Sequence, residues 1–137
     1  MSATHKAYLS LGSNIGERQQ LIDEAVEQLG GIGIVVRRSS VVETEPVGFS
    51  SPNKFLNACV CLLTECSPRQ LLETTQAIER RLGRTTKSIG GIYHDRPIDI
   101  DILLYDDVDI AEKDLVIPHP KMYEREFVMR PLYEIME

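Results

Sequence analysis

The sequence predicts a single α+β domain in which an antiparallel sheet carries two helices on one face, and three observations predict it. Apolar residues alternate with polar ones over 6–11 and 96–105, and a longer β-rich run alternates over 55–64. Between them, 17–29 and 68–82 repeat their apolar residues at helical spacing. With a β-branched run at 32–43, the order becomes strand, helix, strand, strand, helix, strand. That βαββαβ order is the ferredoxin-like sandwich, and 137 residues suffice for one such core.

The first strand sets Ala7, Leu9 and Leu11 against Tyr8 and Ser10, and Gly12-Ser13-Asn14 supplies turn chemistry after it. Ile22, Ala25, Val26 and Leu29 form the apolar stripe of the first helix, which Gly30-Gly31 stops. The second strand runs from Ile32 to near Thr44. Two prolines and a glycine make Glu45 to Asn53 a loop. In the third strand Leu56, Ala58, Val60 and Leu62 share the core face, and Phe55, Asn57, Cys59 and Cys61 the other. Ser67-Pro68-Arg69-Gln70 is a capping box with proline at the first helical position, and Gly83 closes the helix it begins. Thr85 to His94, with Gly90-Gly91, is a second loop. A short apolar run, Leu115-Val116-Ile117, precedes Pro118-His119-Pro120, and a helical tail is expected over Pro131 to Met136.

Composition bounds the function. Hydrophobic content of 42% and charged content of 26% are those of an ordinary globular protein, with neither a membrane span nor a signal peptide in the sequence. A cytoplasmic monomer is the expectation. Three closely spaced cysteines, Cys59, Cys61 and Cys66, argue for packing and against a disulfide framework or a metal site. Net charge is −6, yet 76–96 carries five cations (Arg80, Arg81, Arg84, Lys87, Arg96) against Glu79 and Asp95. That segment is therefore +3 and the remainder −9, a pattern suited to a small anionic ligand and opposed to nucleic acid. Arg80 and Arg81 are read as complements to a helix C-terminus.

The last strand, Arg96-Pro97-Ile98-Asp99-Ile100-Asp101-Ile102-Leu103-Leu104-Tyr105, carries the sharpest signal. Ile98, Ile100, Ile102 and Leu104 fall on one face, and Asp99 and Asp101 on the other, roughly 6.5–7 Å apart. Two carboxylates so placed repel by about 0.6–2.5 kcal/mol, depending on the effective dielectric. A solvated sheet face tolerates that; a divalent cation that gathers phosphates offsets it. Phe55 and Asn57 belong to the same face.

Taken together, Leu11-Gly12-Ser13-Asn14, Thr44-Glu45-Pro46-Val47-Gly48, Phe55-Leu56-Asn57, Gln76-x-x-Glu79, Gly83-Arg84, Arg96-Pro97-Ile98-Asp99-Ile100-Asp101 and Pro118-His119 resemble the 6-hydroxymethyl-7,8-dihydropterin pyrophosphokinases of folate synthesis. The resemblance spans nearly the whole chain. It implies transfer of the terminal pyrophosphate of ATP, as co-substrate, to a pterin hydroxymethyl group. It also implies two Mg²⁺ ions on Asp99 and Asp101, and Arg84, Arg96, Asp99 and Asp101 as the catalytic set. Gln76, Glu79, Arg84, Lys87, Tyr93, Arg96, Ile100, His119 and Arg125 are the ATP residues it implies. For the pterin it implies Phe55 and Phe127 as the stacking pair, with Asn57, Asp99 and the segment Thr44, Pro46, Val47 and Gly48 at the edges. The chain departs from the family pattern at Thr86, Pro97 and Phe55, where a basic residue, threonine and tyrosine are common. A ferredoxin-like binding module without catalysis, for a ligand or RNA, is the alternative; Phe55 is the one exposed strand aromatic expected for RNA.

Overall fold

The computed structural model describes residues 4–45, 52–83 and 97–136. Its elements run β1 (His5–Ser13), α1 (Arg18–Leu29), β2 (Gly33–Arg38), β3 (Val42–Thr44), β4 (Phe55–Thr64), α2 (Pro68–Arg81), β5 (Asp99–Tyr105), β6 (Ile110–Glu112), β7 (Leu115–Ile117) and α3 (Glu126–Ile135). The main sheet has the order β2-β4-β1-β5, wholly antiparallel, with β3 pairing β4. β6 and β7 form a separate hairpin. The βαββαβ order of the ferredoxin-like fold is present.

The main core lies between the sheet and the first two helices. Leu9 and Leu11 of β1, Val60 and Leu62 of β4, and Ile98, Ile100 and Ile102 meet Ile22, Leu29, Leu71 and Ile78 there, all buried. Helix α2 begins as its sequence demands: Ser67 accepts from the Gln70 amide, and the Gln70 side chain accepts from the Ser67 amide.

Four differences from the sequence reading bear on the site. The run 32–44 is two strands because Ser39 interrupts it: its Oγ accepts from the Cys59 amide at 2.8 Å, a side chain standing in for a backbone partner. Strand β1 extends through Gly12 and Ser13, so Gly12 is a strand residue rather than part of a turn. A register shift between Tyr8 and Leu9 lets Leu104 pack on the second face, out of phase with the isoleucines.

The fourth concerns the tail. Helix α3 starts at Glu126, with Pro131 inside it, and buries Val128, Leu132 and Ile135 against Cys59, Cys61 and Leu103. The face opposite α1 and α2 is thus partly covered, leaving its Asp99 and Asn57 end for other use.

Candidate active site

The second face of the sheet brings the predicted residues together by register. Asn57 of β4 pairs with Gly12 of β1, which pairs with Asp99 of β5. One rung further, Cys59, Ser10 and Asp101 align in the same way. Strands spaced about 4.8 Å apart put Asn57 and Asp99 about 9.6 Å apart across a position with no side chain. A Cβ on Gly12 would stand 3.2 Å from Asn57 Oδ1 and 3.5 Å from Phe55 Cδ1. Glycine therefore keeps this rung clear of a side chain that would crowd the Asn57 amide and the Phe55 ring.

Asn57 is buried, 4% exposed, and its Nδ2 donates to Thr44 Oγ1 at 2.8 Å. Thr44 itself pairs with Phe55 across β3 and β4. Arg18 fastens this rung from below, donating 3.0 Å to Glu43 and 2.8 Å to the Lys54 carbonyl, the residues before Thr44 and Phe55. Phe127, half-buried at the start of α3, packs on the same face, with the Arg125 guanidinium 5.7 Å from its ring centroid.

On the outer edge of β5 lies a pocket of about 360 Å³. Gln76, Ile100, Asp101 and His119 line it, together with Leu72 and the hairpin residues Lys113 to Val116. His119 is fixed at two points and faces Asp101 with a third atom. Its amide donates to the Leu103 carbonyl at 3.0 Å, its Nδ1 accepts from the Lys121 amide at 3.2 Å, and its Nε2 lies 3.9 Å from Asp101 Oδ1. In the neutral ring the proton therefore sits on Nε2, toward Asp101 and the pocket.

Glu79 is buried, 3% exposed, and its Oε2 accepts from the Ile100 amide at 2.8 Å. That bond ties α2 to the acidic strand, so Glu79 positions Ile100 from beneath.

Thr44, Phe55, Asn57, Asp99 and Phe127 thus gather on one face, and Gln76, Ile100, Asp101 and His119 around one pocket, with β5 shared. Pro46, Val47 and Gly48, and Arg84, Lys87, Tyr93 and Arg96, lie outside the described residues. The sequence reading missed Gly12 and the hairpin wall. The isolated run Leu115 to Ile117 was the visible trace of the latter.

Among the described residues no group of three His, Cys, Asp or Glu side chains is close enough to enclose a metal ion. The donor set available is two carboxylates on one strand face. Mg²⁺ takes one or two carboxylates and completes its octahedron with water and phosphate oxygens, so this set fits magnesium carried with a polyphosphate. No helix among the described residues is long and apolar enough to cross a membrane.

Fold and site together define a ferredoxin-like α+β protein in which the Asn57–Gly12–Asp99 rung lies beside a pocket edged by carboxylates. The sequence pattern of the family described as 7,8-dihydro-6-hydroxymethylpterin-pyrophosphokinase (HPPK) matches residues 8–137. A 2-amino-4-hydroxy-6-hydroxymethyldihydropteridine pyrophosphokinase from Porphyromonas gingivalis is 52% identical over 130 residues, covering 93% of this chain and 88% of its own. One from Bacillus subtilis is 44% identical over 133 residues, covering 96% and 78%. Wild-type Plasmodium falciparum HPPK-DHPS with SDX-DHP shares the fold at a TM-score of 0.76 and 17% identity, over 98% of this chain and 41% of that one. The chain belongs to the HPPK family.

Proposed function

We propose that this protein transfers the terminal pyrophosphate of ATP to the hydroxymethyl group of 6-hydroxymethyl-7,8-dihydropterin, releasing AMP, in folate synthesis. The observation that carries the reading is the shared strand. Asp99 shares a rung with Gly12 and Asn57, and Asp101, two residues on, lines the neighbouring pocket with His119. A heterocycle bound over that rung would present its hydroxymethyl group toward a triphosphate in that pocket, and holding two reactants in such an orientation removes much of the entropic barrier.

Each side chain has a chemistry suited to its part. Phe55 and Phe127 offer aromatic faces to the pterin, and Asn57, held by Thr44, offers donor and acceptor to its amide-like edge. The segment Pro46, Val47 and Gly48 would add backbone contacts. Gln76 and the Nε2–H of His119 donate toward the nucleotide, and Arg84, Lys87, Arg96 and Arg125 would supply cations to its phosphates, with Tyr93 beside them. Asp99 and Asp101 would hold magnesium, which when bound neutralises phosphate charge as the hydroxyl attacks the β-phosphorus. Positioning and electrostatics then account for the catalysis, with Asp101 able to orient the hydroxyl.

The test is to incubate the protein with Mg²⁺, ATP and the hydroxymethyl pterin and identify the nucleotide product. AMP is expected, with Asp101→Ala folded but at least about 10²-fold slower, the cost of one well-placed electrostatic group. ADP as product, or ligand binding indifferent to magnesium without turnover, would refute the reading and favour a non-catalytic binding module.

A further inference from the structure

The pocket on the edge of β5 has one wall that the sheet does not build. Lys113, Asp114, Leu115 and Val116 form it, and they belong to the β6–β7 hairpin. Two strands of three residues, Ile110–Glu112 and Leu115–Ile117, are too short to hold a position by themselves. Leu115 and Ile117 anchor the hairpin to the core from one side, while Val116 stays 39% exposed. Something on the other side has to fix how far the turn stands from α2, which supplies the facing wall through Leu72 and Gln76.

Arg69 does so. It occupies the first turn of α2, three and seven residues before Leu72 and Gln76, and so on the same helix face. Its Nη1 donates to Asp114 Oδ2 at 2.7 Å and its Nη2 to Glu112, so one guanidinium grips both ends of the hairpin turn. The planar fork allows both bonds at once, which an ammonium on a flexible stem does not reproduce. The same donation holds the Asp114 carboxyl below the usual carboxylate range. All three side chains are at least 40% exposed. Exposed pairs add little to global stability, so the clamp's effect is geometric.

We propose that Arg69 is a positioning residue for the nucleotide: by setting the gap between the hairpin and α2 it governs affinity for ATP while leaving the pterin side and the chemical step untouched. The proposal rests on the reading that this pocket receives ATP. Neither Arg69 nor Glu112 lines the pocket, so both act through the hairpin.

Steady-state kinetics on the intact protein, with magnesium and each substrate varied against saturating amounts of the other, tests it. Arg69→Ala is expected to raise KM for ATP about 3- to 10-fold, with kcat, KM for the pterin and the thermal midpoint unchanged. Glu112→Gln is expected to raise the same KM by a smaller factor, and Arg69→Lys to fall between Ala and wild type. Arg38→Ala, which also removes a surface cation and its ion pair with Asp23, serves as the control and is expected to leave KM for ATP unaltered. The proposal is overturned if KM for ATP stays put in Arg69→Ala, if both KM values rise together, or if Glu112→Gln tightens ATP, the sign of an Arg69 that touches the nucleotide directly. Failure of the wild-type protein to bind magnesium-ATP in calorimetry would instead remove the functional reading beneath it.

Discussion

Glu79 offers the most direct test of how the acidic strand is held. Its carboxylate is 3% exposed and accepts from the Ile100 amide at 2.8 Å. Replacing it with alanine leaves that N–H facing buried space, a penalty of about 1–3 kcal/mol. One buried methylene is also lost, at about 0.8 kcal/mol, while the relief of desolvating a carboxylate returns part of the total. A net loss of about 2 kcal/mol follows. At about 2.1 cal/mol/K of unfolding entropy per residue, 137 residues convert that into a fall in Tm of about 7 °C. Glu79→Gln keeps the shape and an acceptor oxygen, and should cost less than about 1.5 kcal/mol. Differential scanning calorimetry of both variants at neutral pH measures this. An alanine variant melting within about 2 °C of wild type would show that the Glu79–Ile100 bond does not secure β5, and the positioning argument would fail.

Three further outcomes follow from local geometry. Gly12→Ala brings a Cβ to 3.2 Å from Asn57 Oδ1, and displacing that amide by an off-rotamer shift costs about 0.5–1.5 kcal/mol, so KM for the pterin should rise about 2- to 10-fold while KM for ATP holds. Burial pushes the Cys59 thiol up to about 12 and raises that of Cys61, so at pH 8 a disulfide reagent should label only the partly exposed Cys66 until denaturant is added; three fast thiols in the native protein would contradict the packing. Glu134 accepts from the Ser40 hydroxyl and amide, bonds that hold its carboxyl below the usual glutamate range; its stabilising contribution is present above that range and disappears as pH falls through the lowered value, so Glu134→Gln should flatten the acid limb of a chemical-denaturation profile.

What the sequence made legible was what local periodicity and capping encode. Strand β4 and helix α2 fall where alternation and the Ser67–Gln70 box place them, because both signals lie within the segment itself. The break at Ser39 was not legible, since its cause is a hydroxyl reaching Cys59 twenty residues away. The start of helix α3 is hidden for a different reason: Pro131 suits a first helical position, yet Val128, Leu132 and Ile135 continue one stripe across it. The proline forgoes one backbone bond, and burial of that stripe against Cys59 and Cys61 outweighs the loss.

The same division runs through the site. Alternation within each strand, with the ferredoxin-like order that covers the isoleucine and Leu56–Val60 faces with helices, placed Asp99, Asp101 and Asn57 on one face, and the register then aligned Asn57 and Asp99 across Gly12. The hairpin wall has strands too short to show a period, and only tertiary contact makes it part of the pocket. Why the carboxylates occupy an edge strand follows from the backbone. A central strand would flank both Asp99 and Asp101 with paired strands on either side, whereas β5 pairs with β1 on one side and faces His119 and the hairpin on the other. An edge leaves outward amides without a ladder partner, and the buried Glu79 carboxylate takes the one at Ile100. Gln76, one turn earlier on the same helix, faces the pocket that this opening creates. One helix therefore closes the backbone of the acidic strand and lines the cavity beside it, so the packing of α2 on β5 couples one wall of the pocket to the position of Asp101.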